Sequence, residues 1–299
     1  YYRELKRTSK FIQLLPKYPS QYEATIVEPS DEFPFGCGPF RKVDLTSAPM
    51  IFGRLFPQEF NRYIESLSRK ELCEAFVLCA EFGNIPLLDT IMKHPRYMEI
   101  PVNDEKGIAG ALRLAASRNH IKVMRLILED ARSYEILPEN RDFGLSCILA
   151  ETISNKSAEG YRLIMEHPGF QSIQINGPLG LGWILTYSAI NNTKEEIELL
   201  MSNERFAEIP ANNLGYSLTR AFIESAQNDA TESLKAIMDN ERFGEILDRN
   251  FTRAFIAAAL TGKIGALKML VNHARFANVS TDTIVRCLFT MPKSINDLY

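Results

Sequence analysis

Apolar residues recur at i, i+3 and i+4 in six separated places along the chain: Leu88/Ile91/Met92, Met124/Ile127/Leu128, Tyr161/Ile164/Met165, Ile197/Leu200/Met201, Leu234/Ile237/Met238 and Leu267/Leu270/Val271. That spacing puts each triplet on one helical face. A common ending follows each triplet: HPRYMEI (94–100), DARSYEI (130–136), HPGFQSI (167–173), NERFAEI (203–209), NERFGEI (240–246) and HARFANV (273–279). The last residues of these endings lie 36, 37, 36, 37 and 33 positions apart, which identifies a tandem array. Eleven residues before each triplet's middle member stands a mostly small residue: Ala80, Ala116, Ile153, Ala189, Ala226 and Ala259. Three residues further on come Gly83, Asn119, Lys156, Asn192, Asp229 and Gly262, mostly types that tolerate the left-handed conformation ending a helix. Each unit therefore reads as helix, tight turn, helix and extended connector. One such unit cannot bury its apolar face alone, so the triplets are expected to be core shared between stacked neighbours.

The second unit carries a family likeness. In GALRLAASRNHIKVMRLIL (110–128), Leu112, Ala115, Ala116, Asn119, His120, Val123, Met124 and the apolar run 126–128 resemble the helix pair of an ankyrin repeat. The likeness extends over about residues 69–280. It implies a mainly all-α, ankyrin-like helical-hairpin solenoid of about six repeats, with 1–68 as an N-terminal cap and 281–299 as a C-terminal half-repeat or cap. Three features depart from the family. No unit opens with Thr-Pro-Leu-His; the two leading positions hold Glu74-Ala75, Gly110-Ala111, Cys147-Ile148, Trp183-Ile184, Arg220-Ala221 and Arg253-Ala254. The period is longer than the family's, and an Arg-aromatic-x-x-Ile segment stands where the β-hairpin finger is expected, so the fingers are expected to be reshaped or missing. Arrays of this style resemble those of effector proteins of intracellular bacteria. That resemblance implies a host protein as partner and the host cytosol as the place of action.

Composition narrows the classes of function. The 299 residues carry 34 Lys and Arg against 37 Asp and Glu, a formal net charge of −3, which argues against a dedicated nucleic-acid binder. No apolar run approaches the length that spans a bilayer. Cys37, Cys73, Cys79, Cys147 and Cys287 are an odd, scattered set without a CxxC pair, so a reducing, cytoplasmic setting is expected rather than a disulfide or zinc framework. No metal and no cofactor is expected, and the chain is expected to be a monomer.

In such arrays binding falls to the open edge of the first helices and to the connectors. Trp183, Tyr187 and Ile190, at i, i+4 and i+7, form an aromatic patch on the fourth unit's first helix. Along the same edge Glu74 and Glu81 stand toward one end of the array and Arg220 and Arg253 toward the other, a polarity that would orient a protein partner. The Arg that recurs before the aromatic (Arg96, Arg132, Arg205, Arg242, Arg275) fits a structural task, bonding carbonyls at a helix C-terminus.

The N-terminal stretch does not follow the repeat. RELKRTSKFIQLL reads as a basic amphipathic helix, EATIV as a short strand, and DEFPFGCGPFRK as a Phe-rich loop. Residues 55–72 resemble the start of an F-box, on Pro57, Glu59, Phe60, Ile64, Leu67 and Leu72. That resemblance implies an alternative role as adaptor to a cullin–RING ubiquitin ligase. Catalytic motifs are absent: there is no HExxH, GxSxG or phosphate-binding Gly-rich loop. His94, His167 and His273 repeat one loop position and are too far apart to share a metal. Cys37, between glycines, is the remaining nucleophile candidate and has no His near it in sequence, so no enzymatic activity is expected.

Overall fold

A computed structural model describes residues 57–213 and 215–290, and the chain divides after Glu129 into two compact units. The predicted strand at EATIV, the basic helix and Cys37 lie outside the described residues. The first unit holds α1 (Pro57–Ser66), α2 (Arg69–Glu81), α3 (Ile85–Lys93), α4 (Ile108–Ser117) and α5 (Ile121–Leu128), with a 3-10 turn at Pro95–Glu99. The second unit holds α6 (Leu145–Ser154), α7 (Ala158–Glu166), α8 (Leu181–Ile190), α9 (Lys194–Ser202), α10 (Leu218–Gln227), α11 (Thr231–Asp239), α12 (Asp248–Leu260), α13 (Ile264–Asn272) and α14 (Thr281–Thr290). Its 3-10 turns are Ala131–Glu135, Pro168–Ser172, Glu204–Glu208, Glu241–Glu245 and Ala274–Asn278. Among the described residues there is no strand. Helix pair plus 3-10 turn repeats six times, and within each unit successive repeats pack first helix on first helix and second on second, as in an ankyrin-like array.

The hairpin turns follow the residue types read from the sequence. Gly83, Asn119, Lys156, Asn192, Asp229 and Gly262 all have positive φ, at 71°, 57°, 52°, 54°, 58° and 68°. In the second unit this residue does a second job. Asn192 Oδ1 accepts from the Ser233 amide at 3.1 Å, and Asp229 Oδ1 from the Ala266 amide at 2.7 Å. Each thereby caps the second helix of the following repeat, satisfying one of its unpaired first-turn donors. Lys156 offers no side-chain acceptor. There the equivalent residue of the next second helix is Glu196, buried in the first turn of α9, whose carboxylate bonds its own backbone amide.

Most of the apolar triplets are core at their first two members and rim at the third; Leu128 is buried as a third member and Leu267 half-buried as a first. Leu88, Ile91, Met124, Ile127, Tyr161, Ile164, Ile197, Leu200, Leu234 and Ile237 are buried, whereas Met92, Met165, Met201 and Met238 are half-buried and Val271 is exposed. The six small-position residues, Ile153 included, are all fully buried.

No finger hairpin forms. Four connectors instead close on themselves through two backbone bonds each, from the first two residues of the next first helix to carbonyls seven or eight residues back: Ile108 and Ala109 to Pro101 and Val102, Leu145 and Ser146 to Leu137 and Pro138, Leu181 and Gly182 to Gln174 and Ile175, Leu218 and Thr219 to Pro210 and Ala211. The closure presses the residue before each helix against the connector. A Cβ at Gly107 or Gly180 would collide with the carbonyl oxygens of Pro101 or Gln174, and one at Gly144 with the Asn140 amide. The fifth connector is shorter. Asn212 of the preceding loop secures it by donating to the Glu245 carbonyl at 2.5 Å and accepting from the Leu247 amide at 3.0 Å.

Candidate functional site

The first helices of the second unit present one outward row, built from the third, seventh and tenth residue of each equivalent stretch. It reads Cys147/Glu151/Ser154, Trp183/Tyr187/Ile190, Arg220/Glu224/Gln227 and Arg253/Ala257/Leu260. The helices bury the other faces, because residues such as Leu185, Ala189, Phe222 and Ala226 pack inward without exposure. On α8 the Trp183 and Tyr187 rings stack, 5.2 Å between centroids and 11° between planes, each half-buried. Tyr187 Oη shares a 3.0 Å hydrogen bond with Ser154 Oγ of α6, which fixes the ring's tilt across two repeats. Ile190 and, two repeats on, Leu260 are exposed.

The charges of this row differ from the expected polarity. Arg220 pairs with Glu224 one turn along α10, at 2.5 Å. Arg253 makes a long 3.4 Å contact with Asn250 Oδ1. In the first unit Glu74 pairs with Lys106 at 2.8 Å, and the hydrogen bond raises the ammonium's pKa. Glu81 needs a correction: it is 5% exposed, its carboxylate bonded to Arg118 at 3.1 Å, and it is not a surface charge for a partner to read. Its carbonyl accepts from His120 Nε2 at 3.0 Å, which closes that corner further. At the seventh position sequence reasoning picked out Tyr187 and passed over Glu224. An i, i+4 check on Arg220 would have found it.

Residues 55–72 do not form one helix. α1 ends at Ser66, and Ser68 starts α2 through a capping box in which Ser68 Oγ accepts from the Glu71 amide while the Glu71 carboxylate accepts from the Ser68 amide. Of the F-box-like residues, Pro57 and Glu59 lie in α1, while Ile64 is 1% exposed and Leu67 is buried. Both are core of the first unit, not a docking surface.

Four of the repeated arginines, Arg96, Arg205, Arg242 and Arg275, are seen to bond carbonyls of the preceding element. Arg96 reaches Ile64 at 2.7 Å and Leu67 at 2.6 Å. Arg205 reaches Phe170 and Ile173 at 2.7 and 2.6 Å, Arg242 reaches Phe206 and Ile209 at 2.5 and 2.9 Å, and Arg275 reaches Phe243 and Ile246. In the last three the guanidinium also lies over the aromatic ring whose carbonyl it holds. Carboxylates orient the fork: Glu99 for Arg96, Glu208 for Arg205, Glu245 for Arg242 and Asp248 for Arg275. The charge-assisted bonds from Arg96 and Arg242 hold the Glu99 and Glu245 carboxyls below the usual range.

The residue opening each ending is the N-cap of its 3-10 turn. His94, Asp130, His167, Asn203, Asn240 and His273 each accept, through Nδ1 or Oδ1, from the amide two residues on, at 3.0–3.2 Å. An acceptor at that position was visible in the sequence as the alternation of His, Asp and Asn.

Cys73 and Cys79 of α2 are buried, and burial pushes both thiols up, away from nucleophilic character. Among the described residues no group of three His, Cys, Asp or Glu is arranged to hold a metal, and no helix is long and apolar enough to cross a membrane. Searches against family models and against curated proteins return no match for this chain.

Proposed function

We propose that this chain is a non-catalytic protein–protein interaction scaffold that engages a partner through the outward first-helix row of its second unit and the adjoining connectors. The observation that carries this reading is the Trp183–Tyr187 stack. Two large aromatic rings are kept at half-burial in a fixed orientation, with the exposed Ile190 beside them, where a fold seeking only stability would place small or polar residues. Rigid aromatic anchors lose little conformational entropy on binding, and such residues dominate interface energetics. Arg220 and Arg253 supply flanking polar contacts. The ankyrin-like arrangement supports assigning recognition to this edge, and the likeness to arrays of bacterial effectors supports a host protein as the partner.

The test is a displayed-peptide selection on the intact chain, with the affinity of enriched sequences measured by calorimetry. Trp183→Ala combined with Arg220→Glu is expected to weaken binding by about thirty-fold or more while the urea midpoint stays close to wild type. Undiminished affinity for every selected sequence would reject this face.

A further inference from the structure

One seam between repeats is built unlike the others. In the turns at Glu204–Glu208, Glu241–Glu245 and Ala274–Asn278, an arginine lies over the preceding turn's aromatic ring and bonds its carbonyls. Between the turns Ala131–Glu135 and Pro168–Ser172 both halves of that arrangement are exchanged. Ser133 stands where the others have Tyr or Phe, and Gly169 stands where they have Arg. A Cβ at 169 would sit 2.6 Å from a Leu145 methyl, so a side chain there would require that leucine to move. The link is made instead by His167, which is 4% exposed. Its Nδ1 accepts from the Gly169 amide at 3.1 Å, and its Nε2 lies 3.0 Å from Ser133 Oγ, which donates to the Asp130 carbonyl at 2.6 Å.

This chain of bonds fixes one protonation state. A backbone amide can only donate, so Nδ1 must be without a proton. Ser133 uses its own proton on Asp130, so Nε2 must carry one. The neutral Nε2–H imidazole satisfies every partner. An imidazolium would direct a second N–H at the Gly169 amide and leave a positive charge buried. We propose that the seam joining the second and third 3-10 turns is an acid-sensitive joint, closed by neutral His167 and opened when that ring takes up a proton, while the Arg205 and Arg242 seams, capped by Asn203 and Asn240, hold no imidazole to titrate.

The elements packed around the ring carry charges of both signs. Asp130 Oδ1 accepts from the Arg132 amide, and Arg205 of the following turn is engaged with the Phe170 and Ile173 carbonyls. Arg132 and Glu135 belong to the second turn and Glu166 to the end of α7, and the Tyr134 ring lies 5.2 Å from the imidazole. Burial alone depresses the affinity of His167 for a proton. With the folded value below the unfolded one, the joint's stabilisation is whole above the unfolded value and is lost as pH falls through the folded value. His273 shares the cap geometry and the downward shift, but it is less buried and its seam also has Arg275.

The test uses the intact chain. Nitrogen shifts of the four histidines give the tautomer and titration of His167 directly, and the expected result is an Nε2–H ring that titrates below about 6.5. Amide exchange of Gly169, corrected for intrinsic rate, is expected to accelerate about tenfold between about pH 7.5 and about pH 5, relative to the equivalent Arg205 and Arg242 amides, whose caps are asparagines. His167→Asn, the cap this chain itself uses at 203 and 240, is expected to remove that acceleration. An Nδ1–H tautomer, a titration at or above the ordinary value, or a Gly169 amide that tracks Arg205 and Arg242 would overturn the proposal. If the variant does not fold, the measurements on the native chain decide alone.

Discussion

Lys156 is the one position where the hairpin rule and the residue type conflict. It holds φ at 52°, where L side chains other than Asn and Asp are strained, and it lacks the acceptor with which Asn192 and Asp229 cap the next second helix. Lys156→Asn is therefore expected to stabilise the protein by about 1 kcal/mol in urea unfolding, through relief of strain and recovery of a cap. Glu196, the carboxylate facing that gap, is buried, with Oε1 lacking a partner, close to the equally unpartnered Tyr161 hydroxyl. Burial raises its carboxyl's pKa, against the opposing hydrogen bonds from its own backbone amide and Thr193, so folding favours the neutral form relative to the unfolded chain. The stabilisation this gives is complete below the unfolded value, about 4.3, and is lost as pH rises through the folded value. Glu196→Gln should accordingly raise stability at neutral pH and flatten its decline above about pH 4.3, both read from urea midpoints across pH.

Elements, rather than residues, are what the arginine seams hold together. Arg242 makes two bonds to carbonyls, stacks on Phe206 and pairs with Glu245. Arg242→Ala is expected to cost about 2–3 kcal/mol. Arg242→Lys is expected to recover less than half of that, because a single ammonium cannot reproduce the two-pronged grip. Gly180→Ala is expected to destabilise by more than 1 kcal/mol, since the connector closure leaves no room for a methyl group. The repeat, its helix pairs and the six left-handed turns were legible because periodicity and local backbone preference act within one unit. The targets of Arg205, Arg242 and Arg275 were not, because they lie 29–36 residues back in the preceding repeat. Glu81 was misread for the same reason: its burial depends on Arg118 of the next repeat. The exchange of aromatic for Ser133 and of Arg for Gly169 was present in the sequence as two irregularities. Only their contact makes them one feature.

Over the whole molecule, charge is nearly balanced in sum, and several of the described charges are also paired individually. The net charge is −3, and Glu74, Glu81 and Arg220 each have an opposite charge of their own within 3.1 Å. The exposed pairs, such as Lys93–Asp89, contribute little and are screened, and the better buried Glu81–Arg118 pair is screened less. Stability should therefore change by less than about 1 kcal/mol between about 0.05 and 0.5 M NaCl, as measured by urea unfolding. Partner binding at the outward row should show a shallow dependence on salt, governed by Trp183 and Tyr187 rather than by a charge gradient.

The arginine seams also have a direction. Arg205, Arg242 and Arg275 each hold the turn before their own, never the one after. A carbonyl awaiting its partner can rest in water at little cost, whereas a buried guanidinium without acceptors cannot. A chain emerging from the ribosome thus lays down acceptors first and delivers each cation to a site already waiting for it. Shortening the second unit from its C-terminal side leaves hydrated carbonyls, while shortening it from the other side strands a cation. The seams of the second unit thus run in the order in which the chain is made.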